Sequence, residues 1–411
     1  MKMVKLIDVC KLVGGGTPSK ANSNFYLGNI PWATVRDLNS RWLVETEHEI
    51  NAIAVRESST NVIPAGNVVL ATRVGLGKVV QLLQDTAINQ DLRALIPREI
   101  STIDSSYLYY WTLSITPEII AAGKGATVQG ITLPFLENLE IPLPSLDKQR
   151  EIVQNLDSAF AEIDLIEGNL GISAEKANQL SQSLLNIAFN PIENSEESRN
   201  PVADEGIGVQ MVSLKDLCTV FADGDWIESK DQSESGIRLL QTGNVGQGTF
   251  KDRIDKARWI SEETFKRLRC TEIGEGDVLI SRLPDPVGRA CLLPALEHKA
   301  ITAVDCSIVR FDESRMYPRF FVYYSQSPSY ELAIGPLVSG ATRQRISREK
   351  LGTILIPLPS MEKQLEILKK LDRAFAEIEL LKARIKIVKD YTEALRQSLL
   401  SSAFTEEKAV A

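Results

Sequence analysis

The chain has 411 residues, 44% hydrophobic and 24% charged, with a formal net charge of −8. That length exceeds one ordinary core and implies two to three domains, and the composition is that of a water-soluble globular protein. No run of about 18 apolar residues is present, which excludes a membrane-spanning helix. The N-terminal stretch MKMVKLIDVCKLVGGG reaches Asp8 before any usable apolar run, so no secretory leader is expected and the chain is expected to work in the cytoplasm. Five scattered cysteines with no CxxC pair fit neither a disulfide framework nor a zinc ribbon. His48 and His298 alone leave little room for a His-rich metal site or a Ser-His relay.

Residues 1–145 carry 12 basic and 13 acidic side chains, so the negative net charge does not forbid a basic face there. Cys10 ends an apolar stretch and reads as a core residue. The run GGGTPSK, residues 14–20, is Gly-rich but lacks GxGxxG spacing and follows no clean strand. With backbone N–H groups, Thr17, Ser19 and Lys20, it fits a phosphate-holding loop or an ordinary solvated turn equally well. NVVLATR and KVVQLL have strand composition and flank Gly turns. Arg36, Arg73 and Lys78 lie in or beside these strand–turn elements, where an arginine can reach guanine O6 and N7, although each also reads as a plain surface charge. RVGLGK ends like a phosphate loop, but Thr72 stands where the motif needs its first glycine and Val79 follows the lysine. SYLYYWTLS is a short helix or a buried aromatic strand, and Lys124 precedes the run GATVQGI.

Next comes IPLPS, extended because proline disfavours helix at the residue before it. Residues 146–190 then read as one long helix, with Ser145 as N-cap and four basic against ten acidic side chains over residues 146–200. Apolar or small residues fall at Ile152, Leu156, Ala159, Ile163, Ile166, Leu170, Ala177, Leu180, Leu184 and Ile187. Steps alternating between four and three make a 3.5-residue period, the mark of a coiled-coil seam. Gly168 and Gly171 should weaken this helix by about 1 kcal/mol each. Residues 191–208 are polar, hold Pro191 and Pro201, and have no apolar period, so they form a linker.

Residues 209–360 form a second front, with 20 basic and 22 acidic side chains over residues 201–360. Its strand-like runs are DVLISR and SIVRF, and RFFVYYSQS parallels the earlier aromatic run. Arg282, Arg289, Arg343 and Arg345 are its candidate nucleic-acid contacts. Residues 361–405 form a second long helix, capped by Ser360, with its stripe at Ile367, Leu371, Ala374, Ile378, Leu381, Ile385, Val388, Leu395 and Leu399.

The second half repeats the first. Residues 125–189 align with 340–404 without a gap at an offset of 215, and roughly half the positions are identical. VKLIDVC echoes as VSLKDLC, and GNVVLATR resembles GDVLISR once a single gap is allowed, which would match Arg73 with Arg282. GAT-x-Q-x-I recurs in both copies and therefore reads as a structural turn or a shared phosphate contact. The expected fold is α+β: two homologous mixed α/β domains separated by two long helices in an antiparallel coiled coil, a pseudo-twofold internal repeat. Helix pairing within one chain is favoured because the first helix is acidic and the second slightly basic. Ile152, Leu156, Ile163, Leu184, Ile367, Leu371, Ile378 and Leu399 are the expected pairing residues.

Two divergent fronts, each followed by IPLPS-x-x-K-Q-x-E-I and a helix ending in QSLL-x-x-AF, resemble the specificity subunit of type I restriction-modification systems. The resemblance covers essentially the whole chain. It implies that residues 1–145 and 209–360 are target recognition domains, each reading half of a bipartite sequence in double-stranded DNA. It also implies that the helices are conserved spacers which dock two methyltransferase subunits, with restriction/translocase subunits beyond them. Catalysis, and with it S-adenosylmethionine, ATP and Mg, would belong to those partners, so no catalytic residue, metal or membrane contact is expected here. Base-reading residues vary within the family, so the resemblance fixes none. The rival readings are a non-catalytic adaptor that binds proteins or small polar ligands, and a homodimeric coiled-coil regulator.

Overall fold

A computed structural model describes residues 2–125, 130–193, 209–340 and 342–409. The chain forms two compact units, Met1–Gly171 with Lys386–Ala411, and Ile172–Ile385. The division falls inside the two long helices, Leu146–Glu193 and Met361–Ala409, so each unit owns one front and a half of each helix. Gly168 and Gly171 do not break the first helix, which also runs past the expected end at residue 190.

In the first unit a five-stranded sheet runs Cys10–Gly14, Leu92–Pro97, Val68–Ala71, Val79–Leu82, Trp42–Leu43 in spatial order. Beside it lies a four-stranded sheet of His48–Ile50, Ile30–Ala33, Thr86–Ile88 and Asn61–Ile63. The second unit repeats the plan with Cys218–Asp223, Cys306–Phe311, Val278–Ser281 and Ala290–Leu292, and with Gln232–Ser233, Arg258–Ile260, Ile237–Leu240 and Ala300–Thr302. Both aromatic runs are helices, Ser105–Ser114 and Pro318–Tyr324, whose rings fill the core under the first sheet. Cys10 is fully buried and Cys218 packs against the core. Burial pushes both thiols up to about 12, as inert structural cysteines require.

The repeated Lys-Gln of IPLPSxxKQ has a mechanical reason. The Lys148 and Lys363 N–H groups donate to Ser145 Oγ (3.4 Å) and Ser360 Oγ (3.3 Å), so both serines act as N-caps. The following glutamines, both fully buried, hold the helix start to the front. Gln149 accepts from the Asp104 N–H at 2.8 Å and donates to the carbonyls of Thr102 and Pro144 at 3.0 Å. Gln364 repeats this with the Tyr317 N–H and the Arg315 and Pro359 carbonyls.

Within the first unit, Ile152 and Leu156 share a core with Leu400 and Phe404, and Leu399 packs against it. Within the second, Ile367 and Leu371 share a core with Leu185 and Phe189, and Leu184 packs against it. Ile163 and Ile378 are buried. Elsewhere the stripe keeps Ala177 and Ile385 buried but departs from the 3.5-residue period at Ile166, Leu180, Ile187, Leu381, Val388 and Leu395, which are exposed. From Ala177 onward the first helix buries Ser181, Leu185 and Phe189, each four residues after the last. A straight helix turns every 3.6 residues, so a 3.5-residue stripe drifts off the buried face unless the helix supercoils. Toward its C-terminal end this helix is also held by the globular core, where Phe189 meets Phe320 and Tyr324, both with ring centroids at 5.4 Å.

Among the described residues no helix is long and apolar enough to cross a membrane.

Candidate nucleic-acid interface

One end of each pair of sheets gathers five loop segments. In the first unit, residues 14–20 leave their strand beside Ile88. An added Cβ at Gly15 would stand 2.0 Å from the Ile88 carbonyl oxygen, and the Gly16 N–H donates to that oxygen at 3.0 Å. The glycines therefore permit close backbone packing, and the Gly16 N–H is not available to a phosphate. That removes one backbone donor from the phosphate-holding alternative for this run. Its tip remains outside: Thr17, Ser19 and Lys20 are exposed, and Thr17 Oγ1 donates to Gln90 Oε1.

Thr17 and Lys20 line a cleft of about 870 Å³ with Tyr26, Trp32, Thr34, Arg36, His48, Val74, Asn89, Gln90 and Asp91. Trp32 and His48 stack at 6.3 Å and 30°, with Tyr26 edge-on to both, so one wall is aromatic and the other polar. Arg36, with its side chain 83% exposed, lies at the mouth 3.7 Å from the Glu47 carboxylate. Sequence reasoning missed Asn89, Gln90 and Asp91. The available signal was an Asp immediately before a core strand in both copies, DLRALIP and DCSIVRF.

The hairpin loop between Val68–Ala71 and Val79–Leu82 lines this cleft through Val74. Lys78 Nζ donates to the Val35 carbonyl and to Asn39 Oδ1, both at 3.2 Å, and so clips two loops together. Arg73 stays half-exposed, 3.8 Å from Asp91. Lys124 exchanges backbone hydrogen bonds with Gly130, and the Ile131 N–H donates to the Thr72 carbonyl at 2.9 Å. The GAT-x-Q-x-I segment is thus anchored at its flanks in the first copy, while residues 126–129 and 341 lie outside the described residues.

The second unit has the same frame with different tips. The Asp225 N–H donates to the Thr302 carbonyl as the Gly16 N–H does to Ile88, so Trp226, 70% exposed, takes the place of Thr17. The Thr72 N–H donates to the Asp91 carbonyl and the Arg282 N–H to the Asp305 carbonyl, following the strand pairs Leu92↔Ala71 and Cys306↔Ser281. Arg282 is therefore the counterpart of Thr72 and not of Arg73, and no gap is needed. One residue of slip sends a side chain to the other face of a strand. That corrects the reading of Arg282 as a base contact: it is buried, donates to the Val304 carbonyl, and lies 3.2 Å from Asp223.

Arg289 is likewise corrected. It is the counterpart of Lys78 and is buried, with its guanidinium donating to the carbonyls of Val245 (2.7 Å), Leu283 (2.7 Å), Thr242 (2.9 Å) and Pro286 (3.0 Å). Burial lowers the pKa of both arginines. Arg343 is exposed on its loop, and Arg345 lies 3.2 Å from Asp305.

A family model described as the type I restriction modification DNA specificity domain matches residues 1–174 and 207–390. The chain is 30% identical over 326 residues to the type I restriction enzyme MjaIX specificity subunit of Methanocaldococcus jannaschii, covering 74% of this chain and 72% of that protein. It is 34% identical over 157 residues to the EcoR124I/EcoR124II specificity subunit of Escherichia coli, covering 36% and 38% respectively. A solved structure from work on complex assembly and conformational transition of the type I R-M system aligns over 98% of this chain and 97% of its own, with TM-score 0.76 at 21% identity. The HsdS subunit from Thermoanaerobacter tengcongensis aligns over 98% and 96%, with TM-score 0.57 at 20% identity. At those identities the two structures speak to the fold alone.

Proposed function

The chain belongs to the type I restriction-modification DNA specificity family, and on that premise we propose that each front is a target recognition domain reading one half of a bipartite duplex site. As a specificity subunit it recognises DNA sequence and carries no catalysis of its own. In this reading the two long helices pair as an antiparallel coiled coil, set the gap between the half-sites and dock two methyltransferase subunits. Restriction/translocase subunits join them in the cytoplasm, and S-adenosylmethionine, ATP and Mg are bound by those partners. Antiparallel pairing is supported by contacts such as Glu167 with Thr392 and Asp164 with Arg396, where one number rises as the other falls.

The observation that carries the proposal is a repeated frame with divergent tips. The same loops are tied by the same backbone hydrogen bonds in both units, yet the residues at their tips differ: Thr17 against Trp226, and Arg36 against Gly243. A frame copied for stability would not need different tips, whereas two readers of different half-sites would. Exposed polar and basic side chains on these loops, such as Thr17, Lys20 and Arg36, suit phosphates and base edges.

Replacing residues 1–140 by another family member's first domain, with methyltransferase subunits present, should change one half of the methylated sequence. Alteration of both halves would overturn independent reading. The spacing is tested by one added heptad after both Leu165 and Leu380, equivalent positions whose side chains are exposed. Each helix lengthens by roughly 10 Å, about three base pairs of duplex, so the gap between unchanged half-sites should grow by about three. An unchanged gap in the methylated sequences would show that the helices do not set it.

A further inference from the structure

Each unit holds one half-exposed arginine against an aspartate at the same backbone position, although the arginines come from different loops. Asp91 and Asp305 are counterparts, because their carbonyls accept the Thr72 and Arg282 N–H groups at 2.8 and 2.9 Å. In the first unit the guanidinium is that of Arg73, from the hairpin loop, with Nη1 at 3.8 Å. In the second it is that of Arg345, from the loop before Ile346, with Nη2 at 3.2 Å. The arginine side chains are 53% and 49% exposed, whereas the two carboxylate side chains are only 18% and 28% exposed. Asp91 is itself fixed, accepting from Asn89 Nδ2 at 3.3 Å and Gln90 Nε2 at 3.1 Å.

A cation neutralised by a neighbouring carboxylate is a poor phosphate anchor, since phosphate affinity comes from net charge and counterion release. It keeps its directional donors, however. A guanidinium carries five N–H groups in a planar fork, and a carboxylate at ion-pair distance biases where that fork points without taking its donors. The base edge matched to that fork is guanine, with O6 and N7. Arg36 also has a carboxylate nearby, but Glu47 is itself 52% exposed, and Gly243 stands at the position of Arg36 in the second unit. A second recurring pair, Arg41 with Asp157 and Arg319 with Asp372, has its carboxylates on the long helices, whereas Asp91 and Asp305 stand on the loops of the fronts.

We propose that Arg73 and Arg345 are specificity-determining residues, each reading a guanine in its own half-site, and that Asp91 and Asp305 are the positioning residues that orient them. The proposal rests on the reading of both fronts as duplex-DNA recognition domains.

The test uses the full chain assembled with its methyltransferase subunits, and scores binding and methylation on the wild-type target and on duplexes substituted one base pair at a time. Absence of any sequence preference in the wild-type assembly would sink the recognition reading itself, before any variant is examined. With that preference in hand, Arg73→Ala should relax one G·C position in the half-site read by the first unit. Discrimination there should fall about tenfold to a hundredfold, with the other half unchanged. Arg345→Ala should do the same in the second half-site. Arg73→Lys keeps the charge and loses the fork, so it should lose discrimination while binding non-specific duplex as the wild type does. Asp91→Asn should give a smaller loss at the same base pair, and Arg73→Ala with Asp91→Asn should be no worse than Arg73→Ala alone. A purely structural aspartate would not show that coupling. Should Asp91→Asn fail to fold, the half-exposed Arg73→Lys and Arg345→Lys still decide. Equal weakening on every duplex, as expected of Lys20→Ala, would overturn the proposal. So would a half-site lacking any G·C pair.

Discussion

Lys78 and Arg289 stand at the same point of the two repeats and tie the same hairpin loop to the same neighbouring loop. In the first unit the Ala71 N–H donates to the Lys78 carbonyl, closing a loop of seven residues' advance. In the second the Ser281 N–H donates to the Arg289 carbonyl, after eight. The longer loop turns two of its own carbonyls inward, those of Leu283 and Pro286, and only a guanidinium has enough donors to serve these as well as Thr242 and Val245. An ammonium suffices in the shorter loop. The difference teaches that a cation in a recognition loop is not thereby a DNA contact, because the loop's own carbonyls have first claim on it.

The largest expected effect tests that claim. Arg289→Ala leaves two buried and two part-buried carbonyls without this donor and should cost about 3 kcal/mol of unfolding free energy. Lys78→Ala removes two bonds from a partly exposed group that water can replace, and should cost about 1 kcal/mol. Denaturant unfolding of the full chain measures both. Equal losses would break the comparison, and a loss of DNA discrimination by Arg289→Ala without loss of stability would return that residue to the interface.

Much of this architecture is legible in the amino-acid order. The repeat, the helix starts at Ser145 and Ser360, the buried Ile152 and Ile367 and the aromatic helices all follow from local pattern and periodicity. The depth of loop side chains is not legible. Arg289 is buried by carbonyls 44 and 47 residues away, at Val245 and Thr242, and no local signal reveals them. The confusion of Arg282 with Arg73 has a similar origin. Aligning identical letters placed a gap where the strand register allows none, and a shift of one residue exchanged a buried side chain for a half-exposed one. The stripe was legible at the start of each helix, where Ile152, Leu156, Ile367 and Leu371 enter the cores. Toward the end of the first helix the straight 3.6-residue turn governs instead and buries Leu185 and Phe189.

The smallest expected effect lies in the helices, where the same comparison recurs with opposite sign. At an offset of 215, Thr392 and Arg396 replace Ala177 and Ser181 on the buried face. In the first unit the Arg396 guanidinium bonds Asp164, lies 3.2 Å from Glu167 and sits 5.1 Å from the Phe160 ring centroid, while Thr392 donates to Glu167 at 2.9 Å. In the second, Ser181 donates only to the Ala177 carbonyl and borders a cleft of about 660 Å³, and the acid pair becomes Glu379 with Lys382. An arginine fits between two acids and gains little beside one acid and one lysine, so the charges suit each half-helix to its own partner. Arg396→Ser should cost about 1 kcal/mol, a modest figure because Asp164 and Glu167 are 70% and 38% exposed and solvent screens them. Ser181→Arg should gain nothing measurable, since Lys382 opposes what Glu379 attracts. The penalty of Arg396→Ser should shrink in 1 M salt, where the screening length falls to about 3 Å. A penalty that salt leaves untouched would assign the contribution of Arg396 to its packing on Phe160, and the charge pattern would then have no part in choosing which half-helices pair.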